Sequence, residues 1–178
     1  MWVFGYGSLT WKVDFSYEEK MIGYIEGFSR RFWQGSPDHR GTPRQPGRVV
    51  TLVKNPEELV WGIAYKLSEE SREETITNLD HREKAGYSSI EVLFQPQDSA
   101  TKPFTINLYI ANEQNPHYLG PAPEEDIAKQ VIESHGPSGP NSEYLLQLAT
   151  AMRVIVPEHK DEHLYKLESL VKDMLQQG

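Results

Sequence analysis

The order of two residue patterns along the chain limits the folds that are open to it. Runs typical of β-strands occupy most of the sequence up to residue 112, and three amphipathic helical patterns follow after residue 122. Because strands come first and helices later, without the alternation of parallel crossovers, the pattern predicts an α+β protein. About six strands without parallel crossovers favour a small closed mixed β-barrel with flanking and C-terminal helices.

The individual elements follow from periodicity and from turn and cap residues. Residues 55–58 read as the turn of a hairpin, and Ser68 is a suitable N-cap for a helix from about Glu69 to Asp80 or a little beyond. The 178 residues suit one domain, although two small domains also fit the length; we expect a single domain, 1–178, with a barrel part at about 1–112 and a helical part at about 122–178. The predicted strands are residues 1–4, 21–34, 48–53, 59–67, 87–94 and 104–110, and the predicted later helices are 123–134, 141–154 and 158–176.

Composition excludes several classes of function. A formal net charge of −8 argues against nucleic-acid binding, which depends on a positive surface. The chain has no cysteine, so disulfides, a thiolate nucleophile and cysteine-ligated zinc are all excluded. No apolar run approaches the roughly 20 residues of a membrane span, and residues 1–9 lack the basic segment of a signal peptide. We therefore expect no membrane contact and a cytosolic location.

The first apolar run ends at a glycine-rich turn, Gly5-Tyr6-Gly7-Ser8. Glycine allows a close approach to the backbone, and a turn of this kind can present bare amide groups to an anion or a developing oxyanion. An ordinary strand-ending turn explains the local sequence equally well. A dinucleotide fingerprint is rejected, because Thr10 stands at its last glycine position and no βαβ unit follows.

Charged residues crowd the end of the first predicted helix, around Asp80, Glu83 and Lys84. Taken alone, this segment reads as a solvated helix end with local ion pairs. The functional interpretation is that one carboxylate points inward and acts as a general base. Glu74, Asp80 and Glu83 all compete for that role.

Other candidate groups carry weaker signals. His159 and His163 are spaced for a shared metal, but the acidic helix around them favours a surface pair. Ser8 lacks the nucleophile-elbow pattern of serine hydrolases. Arg48 could bind a carboxylate, although an arginine that opens a strand is as often a surface ion pair.

Taken together, several stretches resemble the ChaC-type glutathione-specific γ-glutamylcyclotransferases over nearly the whole chain. In the first stretch, Thr10 stands where the usual family sequence has isoleucine. The stretches that carry the resemblance are residues 3–12, 30–36, 38–41, 46–52, 79–87 and 118–121.

The resemblance implies a γ-glutamylcyclotransferase barrel that converts glutathione to 5-oxoproline and cysteinylglycine without a metal or organic cofactor. It implies that Glu83 is the catalytic residue and that Glu74 belongs to a mobile segment over the site. Apart from the resemblance, Tyr87 and Tyr118 are expected to add hydrogen-bonding walls to the pocket. The residues that the resemblance implies for holding the γ-glutamyl group are Val3, Phe4, Gly5, Tyr6, Gly7, Ser8 and Leu9.

The residues also fit this chemistry by themselves. The α-amine of the substrate can attack its own γ-carbonyl, so the enzyme needs no nucleophile, and one carboxylate can move the proton. Two alternatives remain at this stage: a cyclotransferase for other γ-glutamyl amines, and a non-catalytic γ-glutamyl-binding module. An acid at Glu83 speaks against the second, because a pure binder needs no general base.

Overall fold

The computed structural model describes residues 1–84 and 87–178, and for residues 79–84 it describes the backbone alone. Five strands form the barrel: β1 (Trp2–Gly5), β2 (Tyr17–Ser36), β3 (Gly47–Leu67), β4 (Tyr87–Pro96) and β5 (Phe104–Ala111). They close in the spatial order β1-β3-β2-β4-β5. β1 runs parallel to β5 and antiparallel to β3, so the barrel is mixed. The predicted α+β fold with a closed mixed barrel is confirmed, with five barrel strands rather than about six.

One continuous strand replaces the hairpin predicted around residues 55–58, so that prediction is wrong. β3 passes through these residues without a break. The Asn55 side chain donates to Ser29 Oγ at 3.0 Å and accepts from the Glu57 amide at 3.1 Å. Ser29 in turn donates to the carboxylate of Glu58. The polar groups that suggested a turn therefore form hydrogen bonds along β3 and to a residue of β2.

The helices occur where the sequence predicted them, and side-chain caps mark the start of the first and of the last. The first begins after Ser68, whose hydroxyl accepts from the Ser71 amide at 3.4 Å. The last begins later than predicted, because Asp161 accepts from the Leu164 amide at 3.1 Å and caps it there. The helices are α1 (Glu69–Lys84), α2 (Glu124–Glu133), α3 (Asn141–Ile155) and α4 (Glu162–Gln177), and a two-residue strand pair, β6 (His135–Gly136) and β7 (Gly139–Pro140), lies between α2 and α3. None of the described helices has the length and apolar character of a membrane span.

The described residues form two compact units, Met1–Ser29 with Leu52–Pro116, and Arg30–Thr51 with His117–Gly178. In the second unit, α2 and α3 both pack against α4. Each fully buried large apolar side chain contributes about 1.5–3 kcal/mol to folding. The largest of these are Phe4, Ile25, Leu52, Phe94, Ile106 and Leu108 in the first unit and Phe32, Ile127, Leu145, Leu148, Met152 and Leu164 in the second. A single domain spanning 1–178 stays a prediction.

In the second unit, an asparagine completes the hydrogen bonding at the start of β3. Asn141 is fully buried, and its side chain accepts from the Arg48 amide at 2.8 Å and donates to the Arg48 carbonyl at 2.9 Å. A Cβ on Gly47 would lie 2.8 Å from Asn141 Oδ1, so the glycine is needed for this approach. The first residue of α3 thus makes the pair of bonds that a neighbouring strand would make.

Candidate active site

The glycine-rich loop is placed by the pairing of β1. Gly5 lies opposite Ile63 of β3, and Val3 lies opposite Asn107 of β5. The side chains of Val3 and Phe4 are buried in the core, at 4% and 2% exposure. These two residues therefore have only main-chain groups to offer a ligand.

The carbonyl groups of the loop are occupied by internal hydrogen bonds. A short 3₁₀ turn spans Ser8–Thr10, and the Thr10 amide and hydroxyl both donate to the Gly7 carbonyl, at 2.9 and 2.7 Å. The amides of Trp11 and Lys12 donate to the Ser8 carbonyl at 3.1 and 2.8 Å. Each of these carbonyls thus accepts two hydrogen bonds.

The amide groups of the same loop are not used in this way. Those of Gly7, Ser8 and Leu9 donate to no other residue within the described part of the chain. Because the Gly7 and Ser8 carbonyls accept hydrogen bonds, the amides that share their peptide units, those of Ser8 and Leu9, are polarised and become stronger donors. Consecutive amides of this kind bind a carboxylate or a developing oxyanion. The loop therefore has the hydrogen-bonding pattern that a binding loop needs, and its role in binding stays a prediction.

A tyrosine that sequence reasoning missed holds the end of this loop. Tyr65 of β3 is 2% exposed, and its hydroxyl donates to the Leu9 carbonyl at 2.6 Å. Burial, with a smaller effect of Tyr17, raises the pKa of Tyr65 to about 12. The hydroxyl is therefore protonated and available as a donor at neutral pH. Nothing in the local sequence marks Tyr65, which reads as an ordinary strand residue.

Tyr6 points back towards the barrel rather than standing alone at the surface. Its hydroxyl donates to the Tyr109 carbonyl of β5 at 2.6 Å, and its ring stacks on Phe4 with centroids 6.3 Å apart. Tyr6, which lies between the two glycines, therefore anchors the loop to β5 of the same unit. A part for Tyr6 in binding would come chiefly from its main chain.

The close approach of β3 to the loop depends on a second residue that sequence reasoning missed. A Cβ on Gly62 would overlap the carbonyl oxygen of Gly5 and lie 2.8 Å from Phe4 Cζ. A Cβ on Gly5 would lie 2.8 Å from Leu9 Cβ. A glycine within a strand run often marks such an approach, and that was the available signal.

The structure separates the three candidate bases only in part. The side chain of Glu74 is exposed on α1. The backbone of α1 continues through Asp80 and Glu83 to Lys84, but the side chains of Asp80 and Glu83 lie outside the described residues. The assignment of Glu83 as the catalytic residue therefore stays a prediction.

Tyr118 belongs to the second unit, whereas residues 3–9 belong to the first. Tyr118 is half-buried and pairs with Gln34 of β2 in an antiparallel bridge. The amides of Leu119 and Gly120 donate to the Trp33 carbonyl at 2.8 and 3.1 Å. The backbone around Tyr118 is thus fixed to β2, and its contact with substrate stays a prediction.

Arg48 binds main-chain and amide oxygens rather than a carboxylate. It is 7% exposed and donates to the carbonyls of Phe32 and Gly120, both at 3.0 Å, and to Gln130 Oε1 at 2.8 Å. Burial lowers the pKa of its guanidinium. Neither alternative from the sequence, a carboxylate clamp or a surface ion pair, describes this arrangement.

The two spaced histidines do not form the surface pair that the sequence favoured. The His163 side chain is 9% exposed, its Nε2 accepts from the Phe32 amide at 3.1 Å, and its Nδ1 lies 3.6 Å from Glu124 Oε2. The expectation of an exposed pair is wrong for His163. Within the described residues, no group of three or more metal-ligating side chains comes together.

The closed mixed barrel, with the four α-helices of the described residues, has the fold of the γ-glutamylcyclotransferases. A crystal structure of a yeast γ-glutamylcyclotransferase specific to glutathione matches with a TM-score of 0.86 and 30% sequence identity. The match covers 97% of this chain and 96% of that chain.

The sequence profile described as ChaC-like protein matches residues 1–174. Glutathione-specific γ-glutamylcyclotransferase 1 of Rattus norvegicus is 48% identical over 98% of this chain and 80% of its own length. γ-Glutamylcyclotransferase 2-3 of Arabidopsis thaliana is 45% identical over 100% of this chain and 92% of its own length. The chain belongs to the ChaC family, which confirms the resemblance stated from the sequence.

Proposed function

We propose that this protein is a γ-glutamylcyclotransferase that cleaves glutathione into 5-oxoproline and cysteinylglycine. The observation that carries the proposal is the loop at Gly7–Leu9, whose carbonyls are occupied and whose amides are available to a ligand. Support also comes from the rat relative and the yeast structure, both of which are named as glutathione-specific γ-glutamylcyclotransferases.

The reaction is an intramolecular displacement. The α-amine of the γ-glutamyl group attacks the γ-carbonyl carbon, a five-membered lactam closes, and the bond to the cysteine nitrogen breaks. The amides of Gly7, Ser8 and Leu9 hold the γ-glutamyl group in the reactive pose and stabilise the developing oxyanion. Holding two reacting groups in such a pose lowers a barrier by up to roughly 7–11 kcal/mol in favourable cases. No atoms from water enter either product.

Glu83 carries the proton in this scheme. Its carboxylate accepts a proton from the attacking amine and then donates one to the leaving amine of cysteinylglycine. Tyr118 contributes a hydroxyl that binds the substrate. Residues 3–9 bind the γ-glutamyl group through main-chain groups.

The test is incubation of the purified protein with glutathione and detection of 5-oxoproline by chromatography. Glu83→Gln should lower kcat by about 10²–10⁴-fold, because the neutral amide cannot move the proton. Glu70→Gln is the matched control, since it removes an exposed carboxylate from the same helix. Normal turnover by Glu83→Gln would refute that assignment, and absence of 5-oxoproline from the wild-type protein would refute the proposed reaction.

Substrate range is measured in the same assay. A panel of γ-glutamyl amines beside glutathione separates a glutathione-specific enzyme from a broader cyclotransferase. Calorimetric binding of glutathione without product formation would support a non-catalytic module instead. The cytosolic location and the absence of nucleic-acid and membrane partners stay predictions from the sequence.

A further inference from the structure

We infer that Tyr65 is a positioning residue for cyclisation, and that its hydroxyl sets the orientation of the loop amides that hold the γ-glutamyl group. The inference deepens the proposed function and rests on it. Tyr65 acts through the loop and is not placed in contact with substrate. Its partner Leu9 lies 56 positions earlier in the chain.

The peptide unit between Leu9 and Thr10 is held at both of its ends. Its carbonyl oxygen accepts from the Tyr65 hydroxyl at 2.6 Å, and its amide donates to the Gly7 carbonyl at 2.9 Å. A peptide unit is planar, so fixing both of its ends fixes the orientation of the whole plane. The Tyr65 hydroxyl therefore holds one end of the 3₁₀ turn and the Gly7 carbonyl holds the other.

The side chain and backbone of Tyr65 are themselves held in place by their neighbours. Its ring packs edge-on against Phe15 and Tyr17, with centroids 5.6 and 5.1 Å away, and Cε2 lies 3.2 Å from the position of a Cβ on Gly5. The backbone of Tyr65 pairs with Val3 of β1. The position of the Tyr65 hydroxyl relative to β1, the strand that leads into the loop, is therefore fixed.

The hydrogen bond from Tyr65 to Leu9 also affects the amides that come just before it in the chain. The amides of Gly7, Ser8 and Leu9 precede the clamped peptide unit by one to three residues, so rotation of that unit would turn them away from a common ligand. Preorganised donors stabilise a developing oxyanion because they need no reorganisation during the reaction. Loss of the Tyr65 hydroxyl should therefore reduce the fraction of time in which bound substrate is correctly held.

The experiment compares Tyr65→Phe with Tyr144→Phe. The control removes another buried tyrosine hydroxyl, which accepts from the Val50 amide at 3.3 Å in the second unit. Both variants should lose thermal stability to a similar extent. Only Tyr65→Phe should lower kcat for glutathione, by roughly three- to tenfold, with a smaller change in KM.

A second variant covers the case in which Tyr65→Phe does not fold. Thr10→Val removes the other side-chain hydrogen bond to a loop carbonyl, at Gly7, from a half-buried position. It should also lower kcat more than it raises KM. Where Tyr65→Phe folds, its effect and that of Thr10→Val should not add in the double variant, because both act on the same turn. Where Tyr65→Phe does not fold, a kcat of Thr10→Val within twofold of the wild type overturns the inference.

The outcomes separate the inference from the proposed function. If Tyr65→Phe folds and keeps kcat within twofold of the wild type, the inference is overturned. If the wild type binds glutathione in calorimetry without forming 5-oxoproline, the proposed function fails, and weaker binding by Tyr65→Phe than by Tyr144→Phe still supports the positioning role. If the wild type neither binds nor converts glutathione, both are overturned.

Discussion

Replacing Arg48 with methionine is the most direct test of how the second unit is held together. The side chain is buried, and its guanidinium donates to the main-chain carbonyls of Phe32 and Gly120 and to the side chain of Gln130. Methionine fills a similar volume and provides no donor. The substitution therefore removes the hydrogen bonds while largely keeping the packing.

The expected loss in the free energy of unfolding follows from the polar groups that Arg48→Met leaves without their donor. The carbonyls of Phe32 and Gly120 would be left buried without this donor, at about 1–3 kcal/mol each. Gln130 would lose less, because its amide also donates to the Pro46 carbonyl at 2.8 Å and can reorient. Removing a buried charge recovers part of its desolvation cost, so we expect a net loss of about 2–4 kcal/mol. That is a large share of the roughly 5–15 kcal/mol that stabilises a typical domain.

The assay is urea unfolding followed by tryptophan fluorescence, with the free energy taken by linear extrapolation. Arg48→Lys should lose about half as much as Arg48→Met, because a single ammonium can still reach one carbonyl. Arg44→Met is the control, since Arg44 is exposed on the loop before β3, and it should change stability by no more than about 0.5 kcal/mol. The reasoning fails if Arg48→Met unfolds at the wild-type urea concentration or if Arg44→Met loses as much.

Two further substitutions test the packing of the loop and the acid stability of the helices. Gly62→Ala should lower stability by about 1–3 kcal/mol in urea unfolding and slow 5-oxoproline formation, because the new Cβ displaces the Gly5 carbonyl. Gly27→Ala is the control. Gly27 has a positive φ of 89° and open space around it, so this substitution should lower stability without slowing the reaction. Hydrogen bonds from Arg153 hold the pKa of Glu168 below its ordinary value of about 4.3. The pair therefore stabilises the protein fully at pH values above that ordinary pKa. Its contribution is lost as the pH falls through the lowered pKa. Glu168→Gln should therefore reduce the acid-induced fall in the free energy of unfolding by about 1 kcal/mol, after allowance for the half-exposed Arg153 side chain. Parallel curves of unfolding free energy against pH for the two proteins would contradict this.

Features with local signals were predictable from the sequence. The apolar run at residues 1–4 and the glycines after it predicted β1 and its loop, because a short apolar segment ended by glycine has few other readings. The periodic patterns after residue 122 predicted α2, α3 and α4 to within a few residues. The start of α4 was predicted too early. The structure begins the helix after the cap at Asp161, whereas the sequence pattern also allowed a start at Glu158.

Features that depend on distant partners were not predictable. Tyr65, Arg48 and His163 each form a hydrogen bond to a main-chain group between 16 and 131 positions away. Their neighbours in sequence do not reveal those partners, so each reads locally as an ordinary strand or helix residue. The turn predicted at residues 55–58 failed for the same reason, since β3 continues through these residues and Asn55 also bonds to the distant Ser29 of β2.

The pairing of Asn141 with both main-chain groups of Arg48 also determines how the start of β3 is closed off. A strand end with bare main-chain groups is a template on which a second molecule can dock edge to edge. Here a single amide side chain occupies both sites and adds no strand of its own. The main-chain groups of Arg48, at the beginning of β3, are thereby satisfied within the second unit and are not left bare.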